Sequence, residues 1–161
     1  MVGTRWTFRP IGVIRSEWKQ AAGTPIQGAF APESTGVVEV FPEYAEGLRD
    51  VEGFSHLWLL YVFHQAGPGK LVVIPYMDDT PRGVFATRAP RRPNPIGLSL
   101  VRLVRVEGPV LHIAEVDILD GTPLLDIKPY VGRFDHRDVA RQGWLDAADH
   151  DEKRHRADDR F

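Results

Sequence analysis

Residues 54–65, Phe54-Ser-His-Leu-Trp-Leu-Leu-Tyr-Val-Phe-His-Gln65, are the most apolar stretch of the chain, and their reading decides the fold class. One parity carries Phe54, His56, Trp58, Leu60, Val62 and His64; the other carries Ser55, Leu57, Leu59, Tyr61, Phe63 and Gln65. Both sets are apolar in the middle, as expected of a central strand covered on both faces. Periodicity alone does not exclude a buried helix. The aromatic enrichment favours the strand.

Outward from this strand, the chain reads as β-rich and is punctuated by Pro and Gly. Phe8 to Arg15 reads as a first strand, Thr24 to Glu33 as a Gly/Pro loop, and Gly36 to Phe41 as a clearly alternating second strand. Pro42 to Val51 is helical in character, because Tyr44, Leu48 and Val51 fall on one helical face, and Gly53 ends the segment. Leu71 to Pro75 and Gly83 to Thr87 read as short strands. Leu98 to Val106 and Val110 to Val116 form a hairpin across Glu107-Gly108-Pro109. The first arm of that hairpin alternates poorly, which suggests cover on both of its faces. Many short strands at close spacing predict a small antiparallel-rich β-barrel, with one short helix. Residues 1–146 form this domain, and the charge-dense 147–161 reads as a flexible C-terminal tail.

Composition narrows the function classes. A chain of 161 residues fits one domain with a real core. The net charge of −2 gives no global basic signature for nucleic acid, although a local basic patch is still compatible with it. There are no cysteines, which removes disulfides, thiolate metal sites and a thiol nucleophile, and suits a reducing cytoplasm. Met1 to Pro10 holds Arg5, Trp6 and Arg9 and no apolar run, so no signal peptide is readable there. No segment approaches the ~20 apolar residues of a membrane span. No Gly-x-Gly-x-x-Gly marks a dinucleotide fold. Gly67-Pro68-Gly69-Lys70 lacks the spacing and the Ser/Thr of a phosphate loop, and Pro68 removes a needed N–H. No metal site is expected. His56 and His64 share a parity but lie ~27 Å apart along a straight strand.

Three stretches could carry chemistry. Arg82 to Gly97 holds four arginines, with φ fixed at Pro90, Pro93 and Pro95. Arginines on a stiff loop suit carboxylates or phosphates, and the same composition suits a solvated loop. Asp117 to Tyr130 sets Asp117, Asp120, Asp126 and Lys128 among apolar residues. A carboxylate there suits a general base or a ribose ligand. Asp120 equally suits shaping of the Asp120-Gly121 turn, and Asp126 with Lys128 suits a structural ion pair. His64-Gln65 places polar groups at a strand's mouth, a common position in binding sites, or else a core-edge histidine.

Taken in order, five stretches resemble the TsaA-like family, also called TrmO or YaeB-like. They are Ile11-Gly-Val-Ile-Arg-Ser16; Gly53-Phe-Ser-His-Leu-Trp58 with Phe63-His-Gln65; Gly83-Val-Phe-Ala-Thr-Arg88; Arg92-Pro-Asn-Pro-Ile-Gly97; and Asp120-Gly-Thr-Pro123 with Asp126-Ile-Lys-Pro-Tyr130. The resemblance covers roughly Phe8 to Val131. It implies a β-barrel homodimer that binds S-adenosylmethionine and methylates N6 of threonylcarbamoyladenosine next to the anticodon of a tRNA. By the same resemblance the cofactor is held by Gly28, Ala29 and Phe30, by His64 and Gln65, by Arg88 and Leu98, and by Ala114, Glu115, Val116 and Asp117. Gly28-Ala29 stands where the family's pattern has Pro-Gly. Longer members carry a further C-terminal domain, and this chain resembles the short form. Asp117, Asp120, Asp126 and His64 are the candidate bases, Tyr130 is a candidate hydrogen-bond partner of the substrate, and Arg91 and Arg92 are candidates for RNA phosphates. Two other readings stay open: a methyltransferase of the same barrel acting on a small molecule, and a non-catalytic module that binds S-adenosylmethionine or RNA.

Overall fold

The computed structural model describes residues 3–148, 155–158 and 160. Six strands close into a barrel: β1 (Gly12–Ser16), β2 (Thr35–Val40), β3 (His56–Val62), and then, past the short strands β4 (Val72–Val73) and β5 (Arg82–Gly83), β6 (Ile96–Glu107), β7 (Val110–Ala114) and β8 (Thr122–Pro129). The order around the barrel is β1-β2-β7-β6-β3-β8, with every pairing antiparallel. Closure leaves the barrel itself without an edge strand. β4 and β5 pair only with each other, as a two-stranded ribbon outside the barrel.

The mainly β barrel expected from the sequence is what the structure shows, and its interior follows strand parity. Ile14, Val38, Leu57, Leu59, Val101, Leu111, Ile113 and Leu124 are wholly or almost wholly buried and form the core with Tyr61, Val116 and Ile118. β3 differs from its expected double cover. Leu57, Leu59 and Tyr61 point into the core, whereas His56, Trp58, Leu60 and Val62 are half-buried on the outside. A small barrel has one interior, so the outer apolar residues rely on local cover; Tyr130 packs edge-on against Trp58, with ring centroids 5.9 Å apart.

The poor alternation of β6 also has a different cause from the one expected. Leu103 pairs with Ile113 but Arg105 pairs with His112, so Val104 is an extra residue in the ladder. This β-bulge flips the parity. Gly97, Ser99 and Val101 are buried before it, and Val106 rather than Arg105 packs on the core after it.

Other elements are shorter than the sequence suggests. The first strand begins at Gly12, not Phe8; Pro10 has no N–H to give the ladder, and Phe8 is exposed. The segment expected to be helical is two 3₁₀ turns, Pro42–Leu48 and Val51–Gly53, separated by Asp50 in the left-handed region (φ 68°). Its apolar face is as expected: Leu48 is buried, and Tyr44 and Val51 pack on the core. Leu71 to Pro75 keeps only Val72–Val73 as strand. Gly83 to Thr87 becomes a 3₁₀ turn over Val84–Ala86. The one short α-helix among the described residues is α1 (Gly132–Asp135).

The tail reading of 147–161 falls partly outside the described residues. Of those described, Ala157 exchanges backbone hydrogen bonds with Gly23 and Thr24 (2.8 and 3.0 Å). Arg160 donates to the Pro75 carbonyl (2.8 Å) and lies over the Tyr76 ring.

Candidate functional site

A cavity of about 300 Å³ opens at the barrel end where β3 finishes and β6 and β8 begin. Its wall gathers Gln27 from the first long loop, Tyr61, Phe63, His64 and Gln65 from β3 and its exit, Arg88 and Arg92 from the arginine loop, Leu98 from β6, and Asp117 and Thr122. Ala157 of the C-terminal segment also lines it. Segments far apart in sequence therefore meet because barrel closure puts their strand ends at one mouth.

Asp117 lies at the centre of the buried polar part. Its Oδ1 accepts the Ser99 hydroxyl at 2.6 Å, and its Oδ2 accepts the Gly28 N–H at 3.1 Å. Because Ser99 gives its proton to Asp117, the Tyr61 hydroxyl must donate to Ser99 Oγ, 2.9 Å away. Burial pushes the Asp117 carboxyl up to about 6, while the bonds from Ser99 and Gly28 and the charge of Arg88 hold it from rising further. Burial, and then the neighbouring Asp117 charge, also raise the Tyr61 hydroxyl.

The backbone around this carboxylate is tightly drawn. Glu115, a non-glycine residue, sits in the left-handed region (φ 63°), where the chain turns out of β7 towards Asp117. Gly28 packs directly on it, and a Cβ at position 28 would overlap the Glu115 carbonyl oxygen. Gly97 plays the same part under Tyr61, whose ring fills the space a side chain would need.

At the rim, His64 and Gln65 are held by their neighbours. Thr122 Oγ1 gives its proton to the Leu119 carbonyl (2.7 Å), so it accepts from His64 Nδ1 (3.3 Å). That assigns the ring proton to Nδ1 and leaves Nε2 facing the Gln65 amide nitrogen at 3.4 Å. Arg88 Nη1 donates to Gln27 Oε1 at 2.6 Å, and among the described residues Arg88 forms no ion pair. Arg92 acts differently. Its Nη1 lies 3.3, 2.9 and 3.1 Å from the carbonyls of Val84, Thr87 and Ala89 and gathers them into one turn. Arg91 is partly buried against Gly67, with its Nε enclosed and without a partner among the described residues. The glycines of 67–70 thus make room for the arginine loop; Gly69 sits against the Arg92 carbonyl, and Lys70 N–H bonds to Arg91.

The structure brings His64, Gln65, Arg88, Leu98 and Asp117 to one cavity, with Gly28 bonded to Asp117 behind it. Phe30 lines a neighbouring cavity, and Ala29 is exposed. Ala114 and Val116 are core residues, and Glu115 reaches towards Arg102 (3.7 Å). The other chemical candidates lie elsewhere. Asp120 pairs with Lys19 (2.8 Å) and accepts the Ser16 N–H; the Lys19 ammonium holds its carboxyl below the usual range. Asp126 pairs with Lys128 (2.9 Å), as their shared parity suggested. Tyr130 packs on His56 and Trp58 at the start of β3, the opposite end of the strand from His64.

Two members of the polar network were not singled out from sequence, Tyr61 and Ser99. Ser99 did carry a signal, as a lone hydroxyl on the buried parity of β6. Tyr61 did not, since its parity is that of the core.

Comparison with known proteins agrees with this architecture. Residues 13–136 match the family model described as the tRNA-methyltransferase O N-terminal domain. A probable S-adenosyl-L-methionine-binding protein of Pyrococcus abyssi is 56% identical over 154 residues, which cover 96% of this chain and 84% of that protein. The tRNA (adenine(37)-N6)-methyltransferase of Escherichia coli K12 is 42% identical over 134 residues, covering 77% of this chain and 57% of that protein. A crystal structure of TrmO from Pseudomonas aeruginosa superposes with a TM-score of 0.74 at 42% identity, over 87% of this chain and 62% of that one. This chain thus spans a little under two thirds of the last two proteins. A closed six-strand barrel whose residues 13–136 fit one family model makes the chain a member of the tRNA-methyltransferase O (TrmO) family of S-adenosylmethionine-dependent tRNA methyltransferases.

Proposed function

We propose that this chain binds S-adenosylmethionine in the cavity at the barrel mouth and methylates a tRNA, at N6 of adenine 37 as in the name of its E. coli relative, and that this adenine is the threonylcarbamoylated one that the family resemblance implies. The observation that carries this reading is the convergence of Asp117, Arg88 and the His64-Gln65 pair on one cavity. These groups suit the cofactor's own chemistry. A buried carboxylate suits a sulfonium or ammonium cation. A guanidinium with no ion-pair partner among the described residues suits a carboxylate, and Tyr61, Phe63 and Ile118 offer apolar cover.

When bound, S-adenosylmethionine supplies an electrophilic methyl group, which the acceptor nitrogen takes with loss of one proton, leaving S-adenosylhomocysteine. The protein's part is to align the reactants, and proximity and orientation alone can contribute ~7–11 kcal/mol. Asp117 is the candidate to take the proton. A carboxyl raised to about 6 is a better base than an ordinary aspartate and is still ionised at neutral pH. The N6 nitrogen of threonylcarbamoyladenosine lies between a purine and a carbonyl, so a modest base suffices. Gly28 N–H and Ser99 orient the carboxylate, while His64 and Gln65 present a fixed donor and acceptor pattern at the rim.

The working form is a homodimer. Ile96 and Leu98, both large and apolar, are 40 and 53% exposed beside the first cavity, and a second copy would cover them. A tRNA substrate is met in the cytoplasm, and the protein acts there. Titration calorimetry with S-adenosylmethionine tests the cofactor. Mass spectrometry of tRNA nucleosides from a deletion strain tests the reaction, and an undiminished methylated nucleoside would remove it.

A further inference from the structure

A second cavity, about 490 Å³, lies beside the first and shares with it Ile26, Gln27, Tyr76, Thr87 and Arg88. Arg88 and Gln27, hydrogen-bonded to each other, both belong to the shared wall. The second cavity is lined by the aromatic rings of Phe30, Tyr76, Phe85 and Trp144. Arg88, in the shared wall, is the one charged residue among the described residues that line it.

Two of these rings are held in unusual ways. The Val84–Ala86 turn, fixed by Arg92, holds Phe85 at the cavity's edge with 77% of its surface exposed. Trp144 comes from a segment beyond the residues that the family model matches. Its indole N–H is tied to the Ala86 carbonyl at 2.8 Å, and Arg82 stands over its ring. A largely exposed ring, Phe85, beside a ring tied down by a hydrogen bond, Trp144, forms a stacking surface for planar π-systems.

We propose that this second cavity receives the acceptor base: the purine of the target nucleotide, turned out of the anticodon loop, stacks among Phe30, Phe85 and Trp144. This rests on the methyltransferase reading above and specifies where its acceptor binds. Volume and aromatic lining both agree. About 490 Å³ accommodates a substituted purine. The aromatic rings suit the face of a base. The shared wall brings the acceptor next to the cofactor cavity, as methyl transfer requires.

The test uses the full chain with two separate ligands, S-adenosylmethionine by calorimetry and a synthetic anticodon stem-loop carrying threonylcarbamoyladenosine, titrated in the presence of S-adenosylhomocysteine. Phe85→Ala removes an exposed ring and no core packing. It should weaken stem-loop binding about tenfold or more and leave S-adenosylmethionine affinity within about twofold. The stem-loop should quench Trp144 emission in the wild type; Trp144→Phe should lose that quench yet keep the affinity. A parallel loss of S-adenosylmethionine binding in Phe85→Ala would assign the cavity to the cofactor and overturn the proposal. Unchanged stem-loop affinity, or no stem-loop binding to a wild type that binds S-adenosylmethionine, would overturn it as well. A wild type that fails to bind S-adenosylmethionine would instead defeat the underlying methyltransferase reading, and this proposal with it.

Discussion

The Ser99 hydroxyl donates to the Asp117 carboxylate across 2.6 Å beside the cavity, and so joins the inner face of β6 to the strained turn that follows β7. The same carboxylate takes the Gly28 N–H, so one side chain ties together three segments that the family resemblance assigned to cofactor binding or left unremarked.

Asp117→Asn should change how stability depends on pH. The folded carboxyl titrates at about 6, against an ordinary 3.8. Between those values the folded protein holds the proton and the unfolded chain releases it. Stability from this group is therefore present at low pH and is lost as pH rises through ~4 to 6, by about 3 kcal/mol at most. Asparagine can accept from Gly28 and donate to Ser99 without ionising. Denaturant titrations of both proteins from pH 4.5 to 7.5 should show the variant gaining relative stability as pH rises. Parallel curves would rule out a raised Asp117 pKa. Methyl transfer should fall sharply in the same variant.

Gly28→Ala should lower stability through a backbone clash rather than through φ. The added methyl would meet the Glu115 carbonyl and part the two segments, at a cost of about 2 kcal/mol or more. That corresponds to a drop of roughly 5 °C in Tm for a domain of this size. Gly47→Ala, where a Cβ meets nothing within 4 Å, is the control and should leave Tm nearly unchanged.

Two arginines of one loop should separate by readout. Arg92→Ala removes the donor shared by three loop carbonyls and should cost about 1–3 kcal/mol of stability. Arg88→Ala removes an exposed side chain and should shift stability by less than about 0.5 kcal/mol, while weakening S-adenosylmethionine binding about tenfold. Thermal melts and calorimetry on both variants check this; a large stability loss in Arg88→Ala would place it with the loop's structural residues.

Neighbours on β3 should differ by parity. Leu59 is fully buried, and Leu59→Ala should cost about 2–5 kcal/mol. Leu60, half-buried on the outside, should cost clearly less on the same change. Equal losses in denaturant titrations would contradict the barrel's single interior.

Much of the fold was legible because period-two patterning survives in most strands. Gly36 to Phe41 and the hairpin over Glu107-Gly108-Pro109 read directly from alternation and turn chemistry. β6 misread because one extra residue, Val104, reverses the inside and outside of everything after it, and single-residue bulges leave no mark in composition. The 84–86 turn misread because its shape is held by a side chain further along the chain, that of Arg92.

The sequence by itself determined the fold class, the family and the segments that meet at the barrel mouth, since local pattern and ordered motifs are properties of the chain read in line. Only the tertiary structure decided which residues of those segments face the cavity. Asp117 faces it with a raised pKa, while Asp120 and Asp126 turn to Lys19 and Lys128. Arg88 stays without an ion-pair partner among the described residues, while Arg92 is engaged by carbonyls. The reason is physical. A carboxylate or guanidinium has the same chemistry wherever it stands in the chain, and its pKa and availability are set by burial and by partners brought close through closure, here up to 104 residues away.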